Sequence, residues 1–229
     1  MSKWIDSILA LLKWPVAVAG LLSLPALSWA LFDLVRNMGS AKPLLPLLLG
    51  ALGFVVVWYG GLRRAAFARW STLEHELTHA LFAWVTLHRT VGFLGTWRSG
   101  GHVRYLGKGN WLIAIAPFVI PTFSLLAALA LSALPRNYLV YAGVLLGVTL
   151  AYHATSTWSR THRHQGDLRE VGTLFAIFFV PAATILVYGL LIALVVGGGR
   201  AMHQYVHQAF AHTLGVAHLV WSWIKGAAA

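Results

Sequence analysis

The sequence predicts an all-α integral membrane protein, with about six transmembrane helices in a single domain. Of its 229 residues, 59% are hydrophobic and only 10% are charged, whereas a soluble domain carries about 25% charged residues. Apolar runs of about the 20 residues that cross a bilayer recur along the chain. The 11 tryptophans are typical of aromatic anchoring at membrane interfaces.

The net charge of +11 and the absence of cysteine narrow the class of protein further. No basic cluster marks a soluble domain, so basic residues at helix ends that face anionic lipid account for the charge. The lipid bilayer is therefore an expected partner and nucleic acid is not, while the pattern indicates no oligomeric state. Without cysteine there is no disulfide framework and no thiolate metal site. Any metal ion must be bound by His, Asp or Glu.

The predicted spans are apolar runs bounded by charged or glycine-rich residues. Prolines interrupt the first run, and Pro117 and Pro121 are expected to kink the fourth. The tail, residues 202–225, carries four histidines and two tryptophans, and we expect an interfacial helix or a short seventh span there. The six spans cover residues 14–32, 43–62, 65 or 72 to 88, 111–134, 138–155 and 171–196.

The polar segment between the third and fourth spans, residues 89–110, is rich in glycine. Its run Gly101–Tyr105 predicts an extended strand, in either a short β-hairpin or a re-entrant loop. A solvated loop is the alternative interpretation. Upstream, the spacing of Ser71 and Glu74 indicates a capping box and hence the start of a helix.

Residues 75–79 read His-Glu-Leu-Thr-His, an H-E-x-x-H motif inside the third span. Positions i and i+4 of a helix share one face, so His75 and His79 present two imidazoles to one point, which suits tetrahedral zinc. Glu76 is rotated by about 100° from His75, where it can act as a base toward water on the metal. Such polar residues are costly in an apolar helix and need a reason. A helix end at the membrane interface is the alternative.

Zinc requires a third protein ligand if one position stays open for water. Asp167 is the only aspartate after the motif, beside the start of a span where an unpaired carboxylate is costly. A carboxylate that favours the helix dipole is the other interpretation, and His153 is the second choice of ligand. The remaining candidates are His102, His162, His164, Glu170 and the tail histidines His203, His207, His212 and His218, of which the i,i+4 pair His203 and His207 is interpreted as solvated.

The span count conflicts with Asp167 as a ligand. If the third, fourth and fifth spans each cross once, Asp167 starts on the face opposite Arg69. The motif lies only about 9 Å along the helix from Arg69, at 1.5 Å per residue. Either residues 156–170 re-enter the membrane, or one predicted span does not cross.

These motifs together resemble the site-2 protease family of intramembrane zinc metallopeptidases, especially its compact bacterial members. The resemblance covers about residues 65–180 and implies that His75, His79 and Asp167 bind one Zn²⁺ per chain, with Glu76 as the base. Many relatives carry the aspartate in an N-x-x-P-x-x-x-x-D-G context, which is absent here. The residues that carry the resemblance are the H-E-x-x-H motif, Gly100-Gly101-His102-Val103, the Ala116–Pro121 segment and Gln165-Gly166-Asp167-Leu168.

The function expected from these residues is zinc-dependent hydrolysis of peptide bonds in membrane-spanning protein substrates, by a multi-pass protein of the bacterial inner membrane. A substrate helix must unwind before its carbonyls are accessible. The Gly101–Tyr105 strand would pair with it by edge addition, which makes Gly101 and Val103 candidate substrate-binding residues. Asn110, after the strand, is a further candidate. The alternative is a non-proteolytic membrane protein that binds or transports metal, although a transporter would be expected to show repeated halves.

Overall fold

The computed structural model describes residues 2–37, 44–60, 66–96, 100–133, 135, 138–161 and 166–227. Within these ranges the chain is mostly helical and contains one two-stranded sheet. The elements are α1 (Ser2–Asn37), α2 (Leu44–Tyr59), α3 (Ala66–Val85), β1 (Thr90–Thr96), β2 (Gly100–Tyr105), α4 (Trp111–Val119), α5 (Thr122–Ser132), α6 (Leu139–Thr161), α7 (Gly166–Val171) and α8 (Thr173–Ala227).

Among the described helices, α1 and α8 are long and apolar enough to cross a membrane, and α4 with α5 makes a third span if that bent pair counts as one. Helix α2 is apolar but has 16 residues, fewer than the about 20 that a bilayer requires. The predicted count of about six spans is therefore not supported, since the second apolar run ends early as a helix and the fourth is broken.

The break in the fourth predicted span lies between α4 and α5, whose axes differ by 66°. Pro121 has no N–H, so the carbonyl of Pro117 lacks the helical donor that it would otherwise find four residues on. His153 of α6 replaces that donor, with its Nε2 3.2 Å from Pro117 O. The kink that the prolines predicted is thus present, and a buried histidine satisfies the backbone oxygen that it exposes.

Helix α3 supplies a hydrogen-bond partner for the backbone on the α5 side of the same break. Glu74 is buried, and its Oε1 accepts a hydrogen bond of 3.0 Å from the backbone N–H of Phe123 in the first turn of α5. One turn further along α3, the hydroxyls of Thr78 and Thr122 share a hydrogen bond of 2.5 Å. The predicted capping box at Ser71 is wrong, because α3 already begins at Ala66 and Glu74 accepts from the first turn of a different helix.

The tail is helical but does not continue straight from the preceding helix. Gly198 interrupts α8 with φ 63° and ψ −153°, in the left-handed region that glycine tolerates. The Tyr205 hydroxyl donates to the carbonyl of Ile185 at 3.0 Å, although 20 residues of straight helix would span about 30 Å. Residues after Gly198 therefore fold back, and Tyr205 is buried with Leu27 and Ala30 of α1.

Strands β1 and β2 form an antiparallel hairpin with Phe93 opposite Val103 and an irregularity between Thr90 and Gly92. The hairpin confirms the strand predicted at Gly101–Tyr105, and the solvated-loop alternative is wrong. The hairpin follows directly on α3, which ends at Val85, and Leu87 lies in the connecting turn with φ 57°. This short connection places the strands beside the motif-bearing helix.

Helices α2 and α6 approach each other closely through glycine, as is common between membrane helices. A Cβ atom on Gly50 would collide with the backbone carbonyl of Val144, and one on Gly147 with that of Leu47. Around this contact, Leu47, Leu146 and Leu150 belong to one buried apolar cluster. Backbone atoms cannot yield to a new side chain as a flexible side chain can, so these glycines fix the helix separation.

We expect Gly147→Ala to push α2 and α6 apart and to destabilise the protein by about 1–3 kcal/mol, the usual cost of overpacking. Thermal unfolding in detergent measures the effect. Gly53→Ala in α2 is the matched control, because nothing lies within 4 Å of its added Cβ and alanine favours the helix. Equal melting temperatures for the two variants would contradict the packing argument.

Candidate metal centre

The structure brings His75, His79 and Asp167 together although 92 residues separate the first from the last. Asp167 Oδ2 lies 3.1 Å from His75 Nε2 and 3.7 Å from His79 Nε2. The three potential ligand atoms all lie within 4.8 Å of one another. Within the described ranges, no other group of three such residues is arranged to hold a metal ion.

The spacing of these atoms fits a tetrahedral metal site. Ligands bound about 2.0–2.1 Å from a tetrahedral zinc ion lie about 3.3 Å apart, and the two measured nitrogen–oxygen distances fall on either side of this value. Two imidazoles and one carboxylate form a donor set that leaves a fourth position open. The cluster could therefore hold a metal ion.

Asp167 reaches the motif from helix α7. Val171 at the end of α7 is buried with Ala114 and Ile115 of α4, and Gly172 with φ 89° turns the chain into α8. The motif lies midway along α3, since His79 precedes Val85 by six residues, or about 9 Å. An aspartate can therefore reach it from the end of α3 at Val85 as well as from the end near Arg69, which removes the conflict raised by the span count.

The orientation of His79 is set by α4. Its Nδ1 lies 2.9 Å from the backbone oxygen of Ile113, and because a carbonyl can only accept, Nδ1 must carry the proton. Nε2 then faces Asp167, and in the neutral ring it is the nitrogen whose lone pair is available to a metal ion. A backbone carbonyl that fixes the tautomer of a ligand in this way is a regular feature of histidine metal sites.

Asp167 is held in the form that binds metal. Its partial burial would by itself raise the pKa, but the adjacent His75 and His79 rings outweigh burial and hold the pKa of this carboxyl well below its usual range. A metal ligand must be deprotonated. The cluster therefore offers an ionised carboxylate to a cation at neutral pH.

Glu76 lies one residue beyond His75 and contacts the hairpin rather than Asp167. Its Oε2 accepts a hydrogen bond of 3.2 Å from the backbone N–H of Val103. This contact joins the motif helix to strand β2. The carboxylate is partly buried, and the hydrogen bond fixes its position next to the His–Asp cluster.

The structure does not bring His153 and Asn110 to the cluster. Both ring nitrogens of His153 are engaged, Nε2 with Pro117 O and Nδ1 with the Tyr188 hydroxyl at 2.7 Å. Asn110, predicted as a substrate-binding residue, caps α4 by accepting from Ile113 N–H at 3.1 Å. An asparagine just before an apolar helix is itself a capping signal, which the sequence interpretation missed.

The other candidates also lie apart from the cluster or outside the described residues. Glu170 lines an exposed cavity with Asp6 and Asn110. The rings of His203 and His207 stack on the exposed side of the tail, and His212 lies 3.8 Å from Asp33 of α1. His102 is described only through its backbone in β2. His162 and His164 fall outside the residues that the structure describes.

Acidic residues are concentrated around this site in a strongly basic chain. Of the six acidic side chains, only Asp33 is tied to the far tail. Burial first, and then the negative charges of Glu170, Asp167 and Asp6, raise the pKa of Tyr105 in β2. The local field therefore favours a cation, although the net charge of the whole chain repels one.

The chain matches no known family model, no curated protein and no solved structure. The class of protein is therefore defined here by fold and site alone. The described part of the chain is mostly helical, with two helices long and apolar enough to span a membrane and with a His–His–Asp cluster that could hold a metal ion.

We expect His75→Ala and His79→Ala each to abolish tight metal binding, because two remaining protein ligands are too few for a stable site. Elemental analysis of the purified protein measures the metal content per chain. The tail supplies a matched control, since His203→Ala and His207→Ala remove another i,i+4 pair. Loss of metal from the tail variants but not from the motif variants would contradict the assignment.

Proposed function

We propose that this protein is an intramembrane zinc metalloendopeptidase that resembles the site-2 protease family. The observation that carries the proposal is the convergence of His75, His79 and Asp167 around one point, with Glu76 fixed beside them. Nitrogen donors from an H-E-x-x-H helix and one carboxylate are the ligands that a catalytic zinc uses. Zinc, when bound, supplies Lewis-acid chemistry toward water and the scissile carbonyl.

Glu76 is the proposed general base. Its carboxylate accepts the proton of the attacking water and passes it to the departing amine. The hydrogen bond from Val103 N–H occupies one carboxylate oxygen and holds the group in place. Because this donor belongs to strand β2, the position of the base is coupled to the strand that we propose for substrate binding.

The outer edge of β2 is the proposed substrate-binding strand. The Val103 N–H points to Glu76, so it lies on the edge turned away from β1. Residues along an antiparallel strand alternate between their two edges, which directs the backbone of Gly101 to the same outer edge. An unwound segment of a membrane-spanning protein could pair there with its scissile bond next to the base.

The proposed location is a lipid bilayer, as a multi-pass protein of the bacterial inner membrane. Large apolar side chains of α2 such as Leu48, Leu52 and Val56 are exposed, and lipid is the partner that best covers such a face. Buried polar groups such as Glu74, Thr78 and His153 lie inside, where α3 and α6 meet the break between α4 and α5. A membrane-spanning substrate would reach the site laterally, between helices.

We expect Glu76→Gln to lose turnover of a single-span test substrate by at least about 100-fold while it retains the metal, because general-base catalysis is worth about 10²–10⁴-fold. Cleavage and metal content are measured on the same preparation. Glu170→Gln is the matched control, since this exposed carboxylate lies outside the cluster. Metal transport by a Glu76→Gln variant, with no cleavage by the wild type, would favour the transporter alternative.

We expect Val103→Pro to lower cleavage without loss of metal, because it removes an N–H from the outer edge of β2. The same change also removes the hydrogen bond to Glu76. Gly101→Pro separates the two effects, since it alters the same edge without touching that hydrogen bond. If Gly101→Pro cleaves normally, the defect of Val103→Pro acts through Glu76 and edge pairing is contradicted.

A further inference from the structure

We propose that Asp6, near the start of α1, is a positioning residue for the metal centre. The proposal rests on the proposed function, because it concerns the same His75–His79–Asp167 site. Asp6 lies outside the region that resembles the protease family. Its carboxylate is joined to the metal ligand His79 by an unbroken series of contacts through α4.

The first contact in this series is between α1 and the residue that caps α4. Asn110 Nδ2 donates a hydrogen bond of 2.8 Å to Asp6 Oδ1. The amide oxygen of Asn110 accepts from Ile113 N–H at 3.1 Å, which closes the first turn of α4. Because Asn110 uses its amide nitrogen for Asp6 and its oxygen for the cap, both ends of this side chain are fixed.

The second contact leads from α4 to the ligand. Ile113 donates its N–H to the cap at Asn110, and its carbonyl oxygen accepts a hydrogen bond of 2.9 Å from His79 Nδ1. A shift of the first turn of α4 would therefore move the atom that determines the tautomer and ring direction of His79. Groups that orient a ligand in this way typically change metal affinity by about 10–100-fold when they are mutated.

Two further contacts tie the same end of α1 to the surroundings of the site. Trp111 Nε1 donates to the carbonyl of Leu9 at 2.6 Å. Asp6 Oδ2 lies 3.3 Å from Nε2 of His88, whose side chain is completely buried just beyond α3. Asp6 therefore contacts both segments that flank the hairpin, the end of α3 and the start of α4. Neither contact is expected from a helix that serves only as a membrane anchor.

The test measures zinc affinity by competition with a chelator, together with the visible absorption spectrum of the cobalt-substituted protein, which reports ligand geometry. We expect Asp6→Ala to weaken zinc binding about 10-fold or more and to shift the cobalt bands. Asp6→Asn keeps an oxygen that can accept from Asn110 and should recover most of the affinity. Circular dichroism confirms that each variant is folded before its affinity is compared. If Asp6→Ala does not fold, Asn110→Ala tests the same series of contacts, and wild-type affinity and spectrum in folded Asn110→Ala would overturn the inference.

The matched control is Asp33→Ala, which removes the other aspartate of α1, whose contact is with His212 on the tail. We expect its affinity and cobalt spectrum to equal those of the wild type. In a double-mutant cycle, Asp6→Ala should add little to Asn110→Ala, because both act through one series of contacts. Wild-type affinity and spectrum in folded Asp6→Ala would overturn the inference while leaving the proposed function standing. A wild-type protein that binds no zinc would overturn the proposed function itself.

Discussion

The need to pair buried polar groups in an apolar interior is the constraint on which this structure depends. The break between α4 and α5 releases backbone groups that apolar surroundings cannot satisfy. His153 supplies a donor to Pro117 O, and Glu74 supplies an acceptor to Phe123 N–H. These two side chains come from α6 and α3, so the break joins three separate parts of the chain. A buried carboxylate and a buried histidine would otherwise be costly; here each replaces a missing helical partner.

Helix α3 carries two i,i+4 pairs, offset by one residue, that serve different purposes. Glu74 and Thr78 face α5, where they bind Phe123 N–H and the Thr122 hydroxyl. His75 and His79 are rotated by about 100° and meet Asp167. The contacts of Glu74 and Thr78 fix how α3 is rotated against α5. That rotation determines the direction in which His75 and His79 point. Stability of the broken span and geometry of the metal cluster are therefore linked through one helix.

The distribution of charge separates the site from the rest of the molecule. The chain has a net charge of +11, yet Asp6, Asp167 and Glu170 all act on Tyr105 at the end of β2. Within a low-dielectric interior such local charges outweigh distant ones, because exposed charges beyond a Debye length are screened. A cation would therefore experience an attractive site on a repulsive protein, which is consistent with a metal centre and with the ionised state of Asp167.

The sequence by itself determined the features that depend on local spacing. These are the helical, apolar character of the chain, the face shared by His75 and His79, the strand at Gly101–Tyr105 and the kink at Pro121, because periodicity and proline chemistry act over a few residues. The features that depend on long-range packing were decided only by the tertiary structure. It brought Asp167 to the motif, assigned His153 to a backbone oxygen and Asn110 to a helix cap, and reduced the expected number of spans. The contacts of Asn110 involve Asp6, which is distant in sequence and is brought near by the packing of α1 against α4, so local spacing does not reveal them.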